Sequence, residues 1–244
     1  MNKKIKAIIF DLDGTLVQTE ILKAHAYGKA IEQLSEGRIK EDDVVVSFSE
    51  LVGLSRYEIA EKLIKKYQPS LSSPLLVDVQ TAIDLLIKTR LEIYGQMLLD
   101  PSILPSYACA FSTGLLKTAR AKSYATGLAT MSYSKQVNKV LGILKLEDHF
   151  QYIITRDDVK NGKPDPEIYL KMIKHLNIQP HEAIIIEDSV AGVKAAQAAG
   201  ITVFGVTNSI TKEAVNSSGL LVKPFLVNQS SEISERVFNY INNL

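Results

Sequence analysis

Ile5-Lys6-Ala7-Ile8-Ile9-Phe10-Asp11-Leu12-Asp13-Gly14-Thr15 is an apolar, β-branched run that stops abruptly at a pair of acids. Ile5 to Phe10 reads as a buried strand. Along an uninterrupted strand Asp13 would return to the side of Asp11, and Gly14 lets the chain turn there instead. A carboxylate at the carboxyl end of a parallel strand lies where open α/β sheets place ligands. It can hold a hard cation or attack phosphorus, and a second acid beside it can give and take a proton. Met1 to Lys6 carries lysines as a signal peptide does, but the apolar stretch ends at Asp11, too short for a signal core or a membrane span.

Working outward, Tyr124 to Thr130, Tyr152 to Thr155, Ala183 to Ile186 and Thr202 to Val206 are further strand candidates. Helical patterns at Ser134 to Leu141, Pro166 to Leu176 and Val190 to Ala199 lie between them. This alternation predicts an α/β fold, a parallel sheet covered by helices on both faces. Asp165 is expected to cap a helix with Pro166 at its first position, and Ser189 to cap one that ends before Gly200. More than a hundred helical rather than strand-like residues separate the first two strands, far more than a crossover needs. The expectation is a catalytic core of residues 1–16 and 105–244 and an inserted all-helical domain at 17–104, with helices at Thr19 to Leu34, Ser55 to Tyr67 and Leu75 to Leu99. Ser55 and Glu58 have the spacing of a capping box.

Composition narrows the function. The 28 basic and 27 acidic residues are mixed along the chain, so no basic stripe points to nucleic acid. No apolar run is long enough for a membrane span. Cys109 is the single cysteine, which excludes an internal disulfide framework and fits a reducing compartment, with the cytoplasm as the expected location. His25, His149, His175 and His181 show no paired metal spacing, and no nucleophile elbow accompanies them.

Three later stretches repeat the pattern of polar residues just beyond a strand. Thr130 ends the second strand in Ala129-Thr130-Met131-Ser132, where its hydroxyl can donate to a phosphate oxygen. Lys163 stands in Gly162-Lys163-Pro164-Asp165-Pro166, a cation whose backbone the following prolines restrict. Glu187 and Asp188 follow Ile184-Ile185-Ile186. In this order, and with Asp-x-Asp-Gly-Thr at the start, the four stretches resemble the signatures of the haloacid dehalogenase superfamily. The first alone would arise by accident on the order of once in a thousand chains this long.

The resemblance implies a Rossmann-like core, an inserted helical cap, and phosphoryl transfer. Asp11 would be the nucleophile, Asp13 the acid/base, and Thr130 and Lys163 the groups that hold phosphoryl oxygens. Mg²⁺ would be bound by Asp11, Asp13, Glu187 and Asp188, with Glu187 acting directly or through water. In the insertion, Thr19, Gly53-Leu54-Ser55-Arg56 and Arg90 with Tyr94 are similar to the cap of the β-phosphoglucomutase-like and phosphoglycolate phosphatase-like branch. Thr19, Lys23, Arg56, Arg90 and Met131 are the implied substrate contacts. Lys23 stands where those mutases carry a cap histidine, which turns the expectation from a mutase toward a phosphatase of a small phosphorylated metabolite such as a sugar phosphate; the protein is separately expected to be a monomer. A hexose phosphate mutase and a non-catalytic phosphate-binding protein are the alternatives.

Overall fold

The computed structural model describes residues 4–51, 54, 56–67 and 78–244. The chain divides into two compact units, Met1–Gln18 with Leu104–Leu244 and Thr19–Ile103. The first unit is built on a parallel sheet of β1 (Ala7–Phe10), β2 (Ala125–Ala129), β3 (Tyr152–Ile154), β4 (Ala183–Glu187), β5 (Thr202–Val206) and β6 (Leu226–Val227). Their order is β3-β2-β1-β4-β5-β6. The chain therefore leaves β1 toward one edge and returns to its other side for β4, which makes the β1–β4 junction the switch point of the sheet. Phe10 pairs with both Leu128 and Ile186, so the three central strands end level with one another.

All four β1 residues are fully buried. Each of its isoleucines contributes roughly 1.5–3 kcal/mol by leaving water. The loop after β1 is tight: Gly14 has φ +80°, and its amide donates to the Val17 carbonyl at 2.7 Å. Where the chain leaves and re-enters this unit, Val17 pairs antiparallel with Ala108. Gln18 N donates to Tyr107 O and Cys109 N to Leu16 O, both at 2.8 Å. The Gln18 amide also reaches Cys109 Sγ at 3.1 Å.

The second unit contains α1 (Thr19–Leu34), α2 (Glu41–Ser47), α3 (Arg56–Tyr67) and α4 (Val79–Leu99). Tyr27 and Ile31 of α1, Val44 of α2, Ile59 and Leu63 of α3, and Ile83 and Leu86 of α4 share one apolar core. Helix α4 starts later than Leu75, because Asp78 caps it by accepting from Gln80 N and Thr81 N. Ser55 of the expected capping box and residues 75–77 lie outside the described residues.

The remaining helices belong to the first unit: α5 (Ala110–Ala121), α6 (Ser134–Leu144), α7 (Glu167–Leu176), α8 (Val190–Ala198), α9 (Lys212–Ser217) and α10 (Ile233–Asn242). Helices α7 and α8 pack Ile168, Met172, Val193 and Ala196 against Ala7, Ile9, Ala183 and Ile185. Strand alternation sends Ile8 and Phe10 to the opposite face, and α5 lies against β1, β2 and α10. Ser189 caps α8 by accepting from Gly192 N, and Gly200 follows that helix at φ +72°. Helix α7 corrects the sequence reading by one residue. Pro166, not Asp165, is its N-cap, while the Asp165 carboxylate still accepts from Glu167 N at 2.9 Å. Among the described residues no helix is long and apolar enough to cross a membrane.

Candidate active site

At the carboxyl ends of β1 and β4, Lys163 Nζ donates to Asp11 Oδ1 and to Glu187 Oε1, each at 2.7 Å. A third bond to the Ala129 carbonyl at 3.1 Å ties the ammonium to the end of β2. The Lys163 side chain is 5% exposed and those of Asp11 and Glu187 are 7% and 1%, so these charges are compensated by each other rather than by water. Burial works against the charged amine, but Asp11 and Glu187 outweigh it and hold Lys163 well above the usual lysine range. Burial pushes the Asp11 carboxyl up to about 7, with Lys163 acting against it and Glu187 and Asp13 adding to it.

Glu187 is saturated with partners. Oε1 also accepts from the Tyr169 hydroxyl at 3.3 Å. Oε2 accepts from Asp188 N and Ser189 N at 2.7 Å and from Ser189 Oγ at 3.0 Å. It thus satisfies free amides at the start of α8. Five donors on a group with about four lone-pair positions describe an anchor for Lys163 more than an open ligand.

Asp188 faces Gly14, where an added Cβ would lie 1.9 Å from Asp188 Oδ2. Only glycine fits there, because the turn also needs φ +80°. Asn208, just beyond β5, donates to Asp188 Oδ2 at 2.9 Å and is itself held by Ile210 N and Thr211 N. Asp11, Glu187 and Asp188 each offer a carboxylate oxygen, and these oxygens lie within 4.8 Å of one another. A buried cluster of hard oxygen donors suits a divalent cation such as Mg²⁺, which needs only one or two protein carboxylates beside its waters.

Asp13, the fourth expected ligand, is not part of that cluster. Its Oδ2 accepts from Ser132 Oγ at 2.6 Å and from Thr130 Oγ1 at 3.2 Å. Met131 between them is half-buried and packs against the core around α7.

The other expected substrate contacts lie in the helical unit. Thr19 is buried, Lys23 pairs with Glu20, and Arg56 is exposed at the start of α3. Arg90 is 5% exposed, with its guanidinium carbon 5.1 Å from the Tyr27 ring centroid and 4.6 Å from that of Tyr94. Among the described residues no ion pair to Arg90 is found. Tyr27 was not anticipated: its ring faces Arg90 while its hydroxyl donates to Arg56 O at 3.2 Å. Ser132, Tyr169 and Asn208 were missed as well. Ser132 and Asn208 each stand just beyond a buried strand, β2 and β5, whereas Tyr169 lies inside α7.

Residues 8–206 match the haloacid dehalogenase-like hydrolase family. The phosphorylated carbohydrates phosphatase of Thermotoga maritima is 31% identical over 90% of this chain and 95% of its own length. The validoxylamine A 7′-phosphate phosphatase of Streptomyces hygroscopicus is 29% identical over 89% and 93%. Among solved structures, a HAD hydrolase, family IA, variant 3, of Entamoeba histolytica aligns with a TM-score of 0.71. It covers 98% of this chain and 100% of that one at 24% identity, and so speaks for the fold. The family match runs from β1 through β5, the strands whose ends carry Asp11, Thr130, Glu187 and Asn208, and this chain belongs to the haloacid dehalogenase-like hydrolase family.

Proposed function

We propose that the protein is a Mg²⁺-dependent phosphatase of small phosphorylated metabolites, sugar phosphates above all, acting through a phosphoaspartate at Asp11. The observation that carries this reading is the buried Asp11 carboxylate held by Lys163 with a second, separately held acid, Asp13, two residues on. The names of the two phosphatase relatives agree with it. The lone cysteine fits work in the cytoplasm.

In the first step an Asp11 oxygen forms a bond to phosphorus as the ester P–O bond breaks, and Asp13 gives its proton to the departing alcohol oxygen. In the second, Asp13 takes a proton from water, the water oxygen bonds to phosphorus, and Asp11 leaves as carboxylate with inorganic phosphate as product. Lys163 offsets the negative charge gathered on the phosphoryl group, while the one hydroxyl proton of Thr130 is engaged with Asp13. Asp11 and Asp188 are the proposed Mg²⁺ ligands, with Glu187 orienting Lys163 from behind. The bound ion supplies Lewis-acid polarisation and charge neutralisation at the phosphoryl oxygens.

The helical unit supplies substrate recognition in this reading. Arg90 is costly to bury without a carboxylate, which suits it to an anionic or polyhydroxyl ligand. Lys23, standing where the resembled mutases carry a cap histidine, argues against transfer to a second sugar hydroxyl, the mutase outcome.

The test is phosphate release from sugar phosphates, phosphoglycolate and nucleotides, with and without Mg²⁺, for the wild type and Asp11→Asn. Turnover should require Mg²⁺ and fall by at least about 1,000-fold in the variant. A variant with wild-type turnover overturns the mechanism. Isomerised sugar phosphate with little free phosphate would favour the mutase.

A further inference from the structure

Resting on the reading of Asp13 as the acid of the first step, we infer that Ser132 is the residue that positions its carboxyl group. Ser132 Oγ donates to Asp13 Oδ2 at 2.6 Å, in the range of short bonds to a carboxylate. Thr130 Oγ1 donates to the same oxygen at 3.2 Å. The Ser132 amide in turn donates to Thr130 Oγ1 at 3.1 Å, occupying a lone pair of that hydroxyl and leaving its proton for Asp13.

Ser132 is fixed by its surroundings. It is 8% exposed, and its carbonyl accepts from Arg156 N at 3.1 Å, across from the loop after β3. It is not needed to cap α6, because the Ser134 amide donates to Asp157 Oδ2 at 2.8 Å. The Ser132 hydroxyl is therefore committed to Asp13 rather than to a helix end.

Two hydroxyl donors on Oδ2 fix that oxygen as an acceptor and set the orientation of the Asp13 carboxyl group. Without Ser132 that oxygen loses the shorter of these two bonds and keeps the one from Thr130, so the carboxyl is held less firmly toward the leaving oxygen. The loss should matter only where the leaving group needs protonation. A sugar alkoxide does, whereas p-nitrophenolate departs without it.

The experiment compares Ser132→Ala, Ser132→Thr and Asp13→Asn on a sugar phosphate and on p-nitrophenyl phosphate. The quantity is kcat/KM, which reports steps up to departure of the alcohol. Ser132→Ala should lose roughly 30-fold in kcat/KM on the sugar phosphate, carried by kcat, and less than about 3-fold on p-nitrophenyl phosphate. Ser132→Thr, which keeps the hydroxyl, should recover most of the loss. Equal losses of Ser132→Ala on both substrates, or no loss, while Asp13→Asn remains selective for the sugar phosphate, overturn the role of Ser132 alone. If Asp13→Asn is itself unselective, the acid assignment fails and this inference fails with it.

Discussion

Lys163 touches two carboxylates and a carbonyl in a place that water hardly reaches. Truncating it to Ala would leave Asp11 and Glu187 buried with no cation against them, a situation that costs about 3–5 kcal/mol. Urea unfolding of Lys163→Ala without metal should show that loss, and added Mg²⁺ should recover part of it by binding the folded state. A variant as stable as the wild type would mean that the ammonium is not what holds these acids. The residues of this site divide by how far their roles depend on the fold. Asp11, Thr130, Lys163, Glu187 and Asp188 could be read in the sequence because each stands at a fixed offset from a strand end or just before a pair of prolines. Ser132, Tyr169 and Asn208 act on partners 119, 18 and 20 residues away, and a single serine, tyrosine or asparagine carries no spacing that points to such a partner.

At the scale of elements, α7 is tied to the lysine loop through Glu167. Its carboxylate accepts from Lys160 N and Asn161 N and pairs with Lys171 at 2.7 Å. The bond from Lys171, followed by those from the two amides, lowers the Glu167 carboxyl to about 2. A depressed acid stabilises the fold above its unfolded value near 4.5, and that contribution is lost as the pH falls through the folded value. The melting temperature of Glu167→Gln should therefore lie below that of the wild type by a constant margin from about pH 7 down to about pH 5. The margin should close as about pH 2 is approached, and one independent of pH would refute the assignment. The elements the sequence hid were hidden for physical reasons. Helix α2 holds Val44, Val45 and Val46 in a row, a β-branched run that favours strand by propensity, yet three acids in its first turn favour a helix start. Strand β6 has two residues, too few to show any period. Helix α7 begins after Pro166 because Asp165 satisfies Glu167 N from one residue further back.

Over the whole molecule, a catalytic sheet and a helical bundle are encoded by one chain, and the bundle interrupts the sheet unit once, between Gln18 and Leu104. The two ends of that interruption are already zipped together by the Val17–Ala108 bridge and its flanking amides. Antiparallel neighbours at such a bridge stand about 5 Å apart, a gap that a two-residue Asn-Gly turn spans. Gln18 N donates to Tyr107 O across this pairing, so replacing residues 19–106 by such a turn should give a protein that keeps its sheet by circular dichroism and unfolds in a single cooperative transition. It should still hydrolyse p-nitrophenyl phosphate while losing discrimination among sugar phosphates. An insoluble or molten product would mean that the sheet unit needs the bundle to fold. The paired crossing thus works as a clasp: the sheet unit's own backbone closes the opening through which the helical stretch is inserted.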